Sequence, residues 1–379
     1  MKIPDPLSDL SLMLSGGEPM HEEPSLDPEA LVFGTVVRSA PIDKGGELVV
    51  LNWAEKTVES RTPMQPRRPT IGRDPAPRGN ARGCRGVRWY QQKIIAATYH
   101  TLEVYDRRLT LEGALNGKCM VGLHEIDITD RGTVWVSSTA IDAAIEYDLE
   151  TSERLQAYWP REITSFQRDL GLEPLKIDKS ADNRLKFLDP SETEQQSHLH
   201  LNAVEEHEGT VYALCNEFGV ILDLTNESIA LKHEGLEGAH NLVITDQGNA
   251  IVNGTMEKCV QLFSLETGKR LTKINLTEYK WVRDLIRWKI PSYWGRQLAT
   301  RVGLIDDVVA KPLFVRGVVP FGNSLFVGIS PAAILQVDPQ SGNLVDAYQY
   351  SSNIHVCIHG LDAVPPSESS GAAASRDDQ

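Results

Sequence analysis

Short runs of alternating apolar and polar residues, broken by Gly, Asn, Asp or Ser, recur along most of this chain. LHEIDITDRGTVWVSST, LNAVEEHEGTVYALCN and EGAHNLVITDQGNAIVNGT each read as two strands joined by a tight turn. CRGVRWYQQKIIAATY and VRGVVPFGNSLFVGIS follow the same plan. A third strand then ends in an acidic turn, as in EVYDRR, IEYDLETSE, ILDLTNES, FSLETGK and QVDPQSGN. The acid, the Ser, Thr or Asn and the Gly are what a tight hairpin turn needs, so these carboxylates read as structural.

The start of each first strand serves as an anchor. The anchors are Arg85, His124, Leu201 (with His200 just before it), His240, Arg316 and His359. They recur about forty residues apart, with two gaps of about twice that length; one period is the size of a four-stranded propeller blade. The gaps contain residues 159–198 and 276–312, which lack the alternating strand and its Gly or Ser. The second places Trp281, Leu285 and Trp288 at helical spacing. Both read as insertions, which leaves six blades and not eight.

The copy beginning at His359 stops after one strand. Its missing strands lie near the other end of the chain, in ALVFGTVVRS and GELVVLNWAEKTVES. The predicted fold is therefore all-β, a six-bladed β-propeller over residues 29–364 with two partly helical insertions over one face. It is closed by N-terminal strands pairing with the C-terminal inner strand, which leaves no free edge. Residues 1–28, acidic and rich in Pro and Ser, read as a flexible segment, and residues 365–379 as a disordered low-complexity tail.

The strand-turn-strand copies resemble those of the six-bladed gluconolactonase, strictosidine-synthase and NHL-type propellers. LNAVEEHEGTVYAL is similar to their recurring Asn-Gly-Leu segments. The resemblance covers residues 30–364 and is architectural. For a gluconolactonase-like propeller it implies an axial metal, and Glu125, Asn202 and Asn241 are the counterpart positions here. The anchors of this chain depart from that pattern, being His and Arg, and no family Asp stands in matching context.

In a propeller of this kind the inner strands begin at one rim of the channel, so all six anchors converge on one face. The loops after the second strands reach the same face with Tyr99, His100, Ser138, Thr139, Asn216, Asn253 and Ser330. The residue after each anchor is Gly86, Glu125, Asn202, Asn241, Gly317 or Gly360. One half of the ring thus offers side-chain oxygens, and the other offers space and backbone close to a ligand. Arg85 and Arg316 suit a carboxylate or phosphate, because a guanidinium presents five donors in a plane.

Three chemistries fit this ring. His124, His200 (or His198), His240 and His359 form an imidazole set suited to zinc, iron or copper. Glu125, Asn202 and Asn241, with Asp362 as a further candidate, form an oxygen set suited to calcium. Without a metal, His124, His240 and His359 suit general acid-base work, with Glu125, His200, Asn202, Asn241, His100, Asn216 and Asn253 lining the substrate. A plainer alternative has each His hydrogen-bonding a neighbouring turn. Cys84 and Cys357 flank anchors of adjacent blades and read as small packing residues.

Composition narrows the partners. The formal net charge of -14 argues against nucleic acid, and no nucleotide-binding motif is present. No apolar run is long enough to span a bilayer, and no membrane partner is expected. Five cysteines without a CxxC pair suit a reducing, cytoplasmic setting. The expectation is a small-molecule enzyme at the channel mouth, a hydrolase, lyase, isomerase or cyclase acting on an anionic substrate. The rival is a non-catalytic propeller binding a protein partner or ligand on the same face.

Overall fold

The computed structural model describes residues 31–38, 46–64, 84–188, 198–304, 313–354 and 356–365. The expected flexible N-terminus and disordered tail lie outside the described residues, apart from Pro365. Six four-stranded antiparallel sheets form the blades of a propeller. Blade one spans Val87–Leu115, blade two Leu123–Tyr158, and blade three Leu201–Lys232. Blade four spans His240–Asn275 and blade five Val315–Gln349. Blade six combines the inner strand Val356–Val364 with Leu31–Arg38, Gly46–Asn52 and Thr57–Met64.

Each inner strand lies against the next, and that of blade six lies against that of blade one, so the ring closes. The closing seam is antiparallel, with Leu31 opposite Val364 and Val36 opposite Ile358. Alternation along each strand sends successive side chains to opposite faces of the blade, where they pack against the two neighbours. The core is accordingly a set of wedges between blades. Val49, Trp53, Phe326 and Ile334 fill the wedge between blades five and six. There the buried Trp53 donates its indole N–H to Gln336 Oε1 at 2.7 Å.

One irregularity recurs and positions the site. In blade two the ladder skips between Leu123 and Ile126, setting His124 and Glu125 opposite Ser137 alone. Equivalent shifts occur at Leu201/Ala203, His240/Leu242 and Val315/Val318. In blade six, His359 and Gly360 stand opposite Thr35. In blade one, Arg85 donates its N–H to Ala97 O at 2.7 Å while Gly86 O accepts from Ala97 N at 2.9 Å. Every inner strand therefore opens on a β-bulge carrying the anchor or the residue beside it, and a bulge re-aims side chains that a regular strand would send into the wedges.

The insertions are partly helical. The first contains helix α1, Thr164–Leu170. Its Phe187 and Leu188 pack with residues of blades one and two, and Tyr99 donates to Phe187 O. The second contains α2, Lys280–Ile286, and α3, Lys289–Arg301. Val282 and Ile286 of α2 join the wedge between blades four and five with Ile274, Leu335 and Val337.

Candidate functional site at the channel mouth

The bulges bring four imidazoles into one cluster. The His124 ring lies 5.4 Å from that of His200, 5.5 Å from His359 and 6.3 Å from His240. Two arginines reach into it. Arg85 Nη1 lies 2.5 Å from His124 Nε2, and Arg316 Nη1 lies 2.6 Å from His359 Nε2. A guanidinium can only donate, so both Nε2 atoms act as acceptors. His124, His240 and His359 are buried, while Arg85, His200 and Arg316 keep intermediate exposure. Glu125, also buried, sets its carboxylate 3.6 Å from His359 Nδ1.

The ring at His240 is held from its other side. Its Nδ1 lies 3.0 Å from Gly238 O and 3.1 Å from Thr255 Oγ1, and Thr255 in turn donates to Val315 O at 2.7 Å. With that hydroxyl proton committed, the consistent tautomer carries the proton on Nδ1 and leaves the Nε2 lone pair available. Segment 198–200, which carries His200, is fixed by Asp142. Its carboxylate accepts the backbone N–H groups of His198, Leu199 and His200 at 2.7, 3.2 and 3.1 Å. Arg161 stands 3.7 Å from the same carboxylate, both side chains being buried.

Burial dominates the protonation of this cluster. It pushes His124 well below the ordinary histidine range, helped by Arg85, His200, His359 and Arg316. His240 falls well below it too, by burial, Arg316 and His200. His200 drops to about 4 through burial and the two arginines. Burial also lowers Arg85 to about 10, with Arg316 the next cause. Glu125 is raised to about 7 by burial, against the pull of Arg88, Arg316 and Arg85. Near neutral pH these three imidazoles are therefore uncharged, beside two mutually repelling guanidiniums and a half-protonated carboxyl.

The amide positions divide. Asn241, at φ 56° on its bulge, accepts from Gly317 N at 2.8 Å and from Asn253 Nδ2 at 3.0 Å. Asn202 donates to Ala239 O at 3.0 Å, and its buried Oδ1 has no hydrogen-bond partner among the described residues; the same holds for Asn216 Oδ1 and Asn253 Oδ1. His100 pairs with Thr101 Oγ1 at 2.9 Å and feels the Asp182 carboxylate of the first insertion. Its ring also stands edge-on to that of Tyr99. The glycines differ from expectation. A Cβ on Gly360 would lie 2.3 Å from Arg85 O, and one on Gly86 would lie 2.8 Å from Ile126 N. Their bareness lets neighbouring inner strands approach each other, not a ligand.

The donors present fit a divalent cation poorly. In the imidazole set, two Nε2 atoms already face guanidinium N–H groups, and the arginines repel a cation. In the oxygen set, the Asn241 carbonyl is occupied twice. Among the described residues no group of three or more His, Cys, Asp or Glu is arranged to hold a metal ion. Burial pushes the Cys84 thiol up to about 12, in keeping with its reading as a packing residue.

Sequence reasoning missed a second tier. Three residues beyond Arg85, His124 and His359 stand Arg88, Asp127 and Asp362, joined by Glu205, about 10 Å further along the strands. Asp362 accepts from Trp89 N at 2.6 Å, Asp127 from Glu206 N at 2.9 Å, and Glu205 from Ile244 N at 3.1 Å. Each carboxylate thus caps the inner-edge N–H of the next blade, with Arg88 in the field of all three. The repeated spacing of three was the available signal.

No protein-family model matches this chain, and no curated protein matches it. Among solved structures it is similar to a protein of unknown function from Bacteroides caccae, with a TM-score of 0.55 and 11% identity, covering 89% of this chain and 99% of that one. It also aligns with the β-propeller domain of Cps50 (Swd1) from Myceliophteria thermophila, with a TM-score of 0.44 and 10% identity, covering 86% of this chain and 90% of that one. At 11% identity the likeness to the Bacteroides caccae protein extends to the fold alone.

Proposed function

We propose that the channel mouth binds a small anionic molecule and acts on it by imidazole acid-base chemistry. The observation that carries this reading is the placement of Arg85 and Arg316 against neutral imidazoles. Two guanidiniums that repel each other in a mostly buried site gain most when a carboxylate or phosphate enters between them. Such a group would also raise the basicity of the nearby rings, because an anion favours their charged form. His240 is the best-placed base: its Nδ1 side is tied to Gly238 and Thr255, which orients Nε2. The unmatched amide oxygens of Asn202, Asn216 and Asn253 suit hydroxyl groups of the same molecule. The reaction classes that fit are hydrolysis, elimination, isomerisation and cyclisation, each of which needs one proton moved.

The test is a panel of small carboxylates and phosphate esters, screened by calorimetric binding and by turnover. The reading expects at least one ligand whose affinity falls about 100-fold in Arg316→Met, and whose conversion is lost in His240→Gln with binding retained. Tight binding without conversion by the native protein would favour a ligand-binding propeller. No Arg316-dependent ligand would remove the site.

A further inference from the structure

Helix α3 carries an apolar stripe that the described structure leaves largely exposed. Ile290, Trp294, Leu298 and Val302 follow one another at intervals of four, which places them on one side of the helix. Trp294 is 58% exposed, Leu298 63% and Val302 60%, and Trp288 and Leu304 at the two ends reach 73% and 76%. No side chain of α3 is buried. The contrast with α2 is direct, for α2 anchors the pair through Val282 and Ile286. The segment is also basic. Lys280, Arg283, Arg287, Lys289, Arg296 and Arg301 are opposed over residues 280–301 by Asp284 alone, which pairs with Lys280 at 2.6 Å. This lies on a chain whose formal net charge is -14.

We infer that α3 is an interfacial helix that seats this protein on a bilayer surface containing anionic lipid. An apolar stripe with tryptophans, opposite a face carrying Lys289 and Arg296, is the pattern of a helix lying in the plane of the headgroups. The long basic side chains reach the phosphates while the stripe enters the acyl boundary. Charge complementarity selects this occupant. Most of an acidic protein is repelled by an anionic membrane, so the basic helix is the part that approaches it and sets the orientation. A peripheral contact of this kind needs no spanning segment. Among the described residues no helix is long and apolar enough to cross a membrane, and the sequence-based expectation of no membrane partner rested on that criterion alone.

The experiment is co-sedimentation of the full chain with vesicles of phosphatidylcholine and phosphatidylserine, beside vesicles of phosphatidylcholine alone. Binding is expected only to the mixed vesicles, weakened by salt. Trp294→Ser/Leu298→Ser and, separately, Lys289→Glu/Arg296→Glu should each reduce it at least about tenfold. Trp294→Ser/Leu298→Ser should unfold at the native temperature, because neither replaced side chain is buried. Arg316→Met, a change in the channel, should bind vesicles like the native protein, which separates this inference from the reading of the channel. Three results would overturn it: no pelleting with mixed vesicles, equal pelleting of both double variants, or a native dimer by light scattering that Trp294→Ser/Leu298→Ser converts to monomer.

Discussion

The rim cluster and the acidic tier below it rest on the same inner strands, and both are polar and buried or half-buried, yet they use their polar atoms differently. In the lower tier Asp127, Glu205 and Asp362 accept backbone N–H groups from the adjoining blade. Those carboxylates replace the strand partner that an inner edge lacks, and Arg88 balances part of their charge. At the rim, Arg85, Arg316, His124 and His359 bond to one another, and none of the bonds seen between them satisfies the backbone. A polar group tied to another blade's backbone holds the ring together. The arginine–histidine pairs of the rim join side chain to side chain and carry excess positive charge, which is why the proposed ligand is placed there.

The contrast is broken or sharpened first by Asp362→Ala. It strips the acceptor from Trp89 N–H and a counter-charge from Arg88, and should cost about 3–5 kcal/mol in urea unfolding. Arg316→Met should change stability by no more than about 1 kcal/mol in the same assay, because it removes one of two repelling cations. Equal losses for the two would erase the distinction between the tiers.

A smaller effect follows from protonation. Glu125 is raised to about 7 in the folded protein, above its ordinary 4.5. The native state then holds a proton that the unfolded chain has released, so stability from this group falls as pH rises from 4.5 to 7. Glu125→Gln should therefore gain stability over the native protein between pH 5 and pH 7, by roughly 1–3 kcal/mol. His200, lowered to about 4, acts in the other direction. Its contribution is lost as pH falls from 6.5 towards 4, while the unfolded imidazole takes up its proton. Unfolding free energies of Glu125→Gln and His200→Gln across this range separate the two slopes. The smallest effect expected is that of His100→Ala, with anion affinity unchanged within about twofold, since His100 faces Thr101 and Asp182.

Much of this architecture was legible in the chain. Alternation and the period of about forty identify the blades, and the unfinished copy at His359 pairs with Leu31–Arg38 as expected. Convergence of His124, His200, His240, His359, Arg85 and Arg316 was legible too, because it follows from ring symmetry. The glycines were misread, since space at Gly86 and Gly360 looks the same in sequence whether a ligand or a neighbouring strand fills it. The bulges were hidden because one extra residue hardly disturbs an alternating pattern of four or five. Asn241 was legible as a polar residue, but its capping of Gly317 N spans two blades and depends on their relative tilt. His100 was grouped with the ring by its place after a second strand, and the first insertion then supplied it with a different neighbour in Asp182.

The central claim is an anion site built by two guanidiniums and neutral imidazoles at one channel mouth. Its most direct test is the anomalous difference map of a crystal soaked in selenate, a tetrahedral dianion. The account predicts a selenium peak within hydrogen-bonding distance of both Arg85 and Arg316, beside the His240 ring. Peaks confined to the outer surface, with the two guanidiniums turned away from the imidazoles, would contradict it.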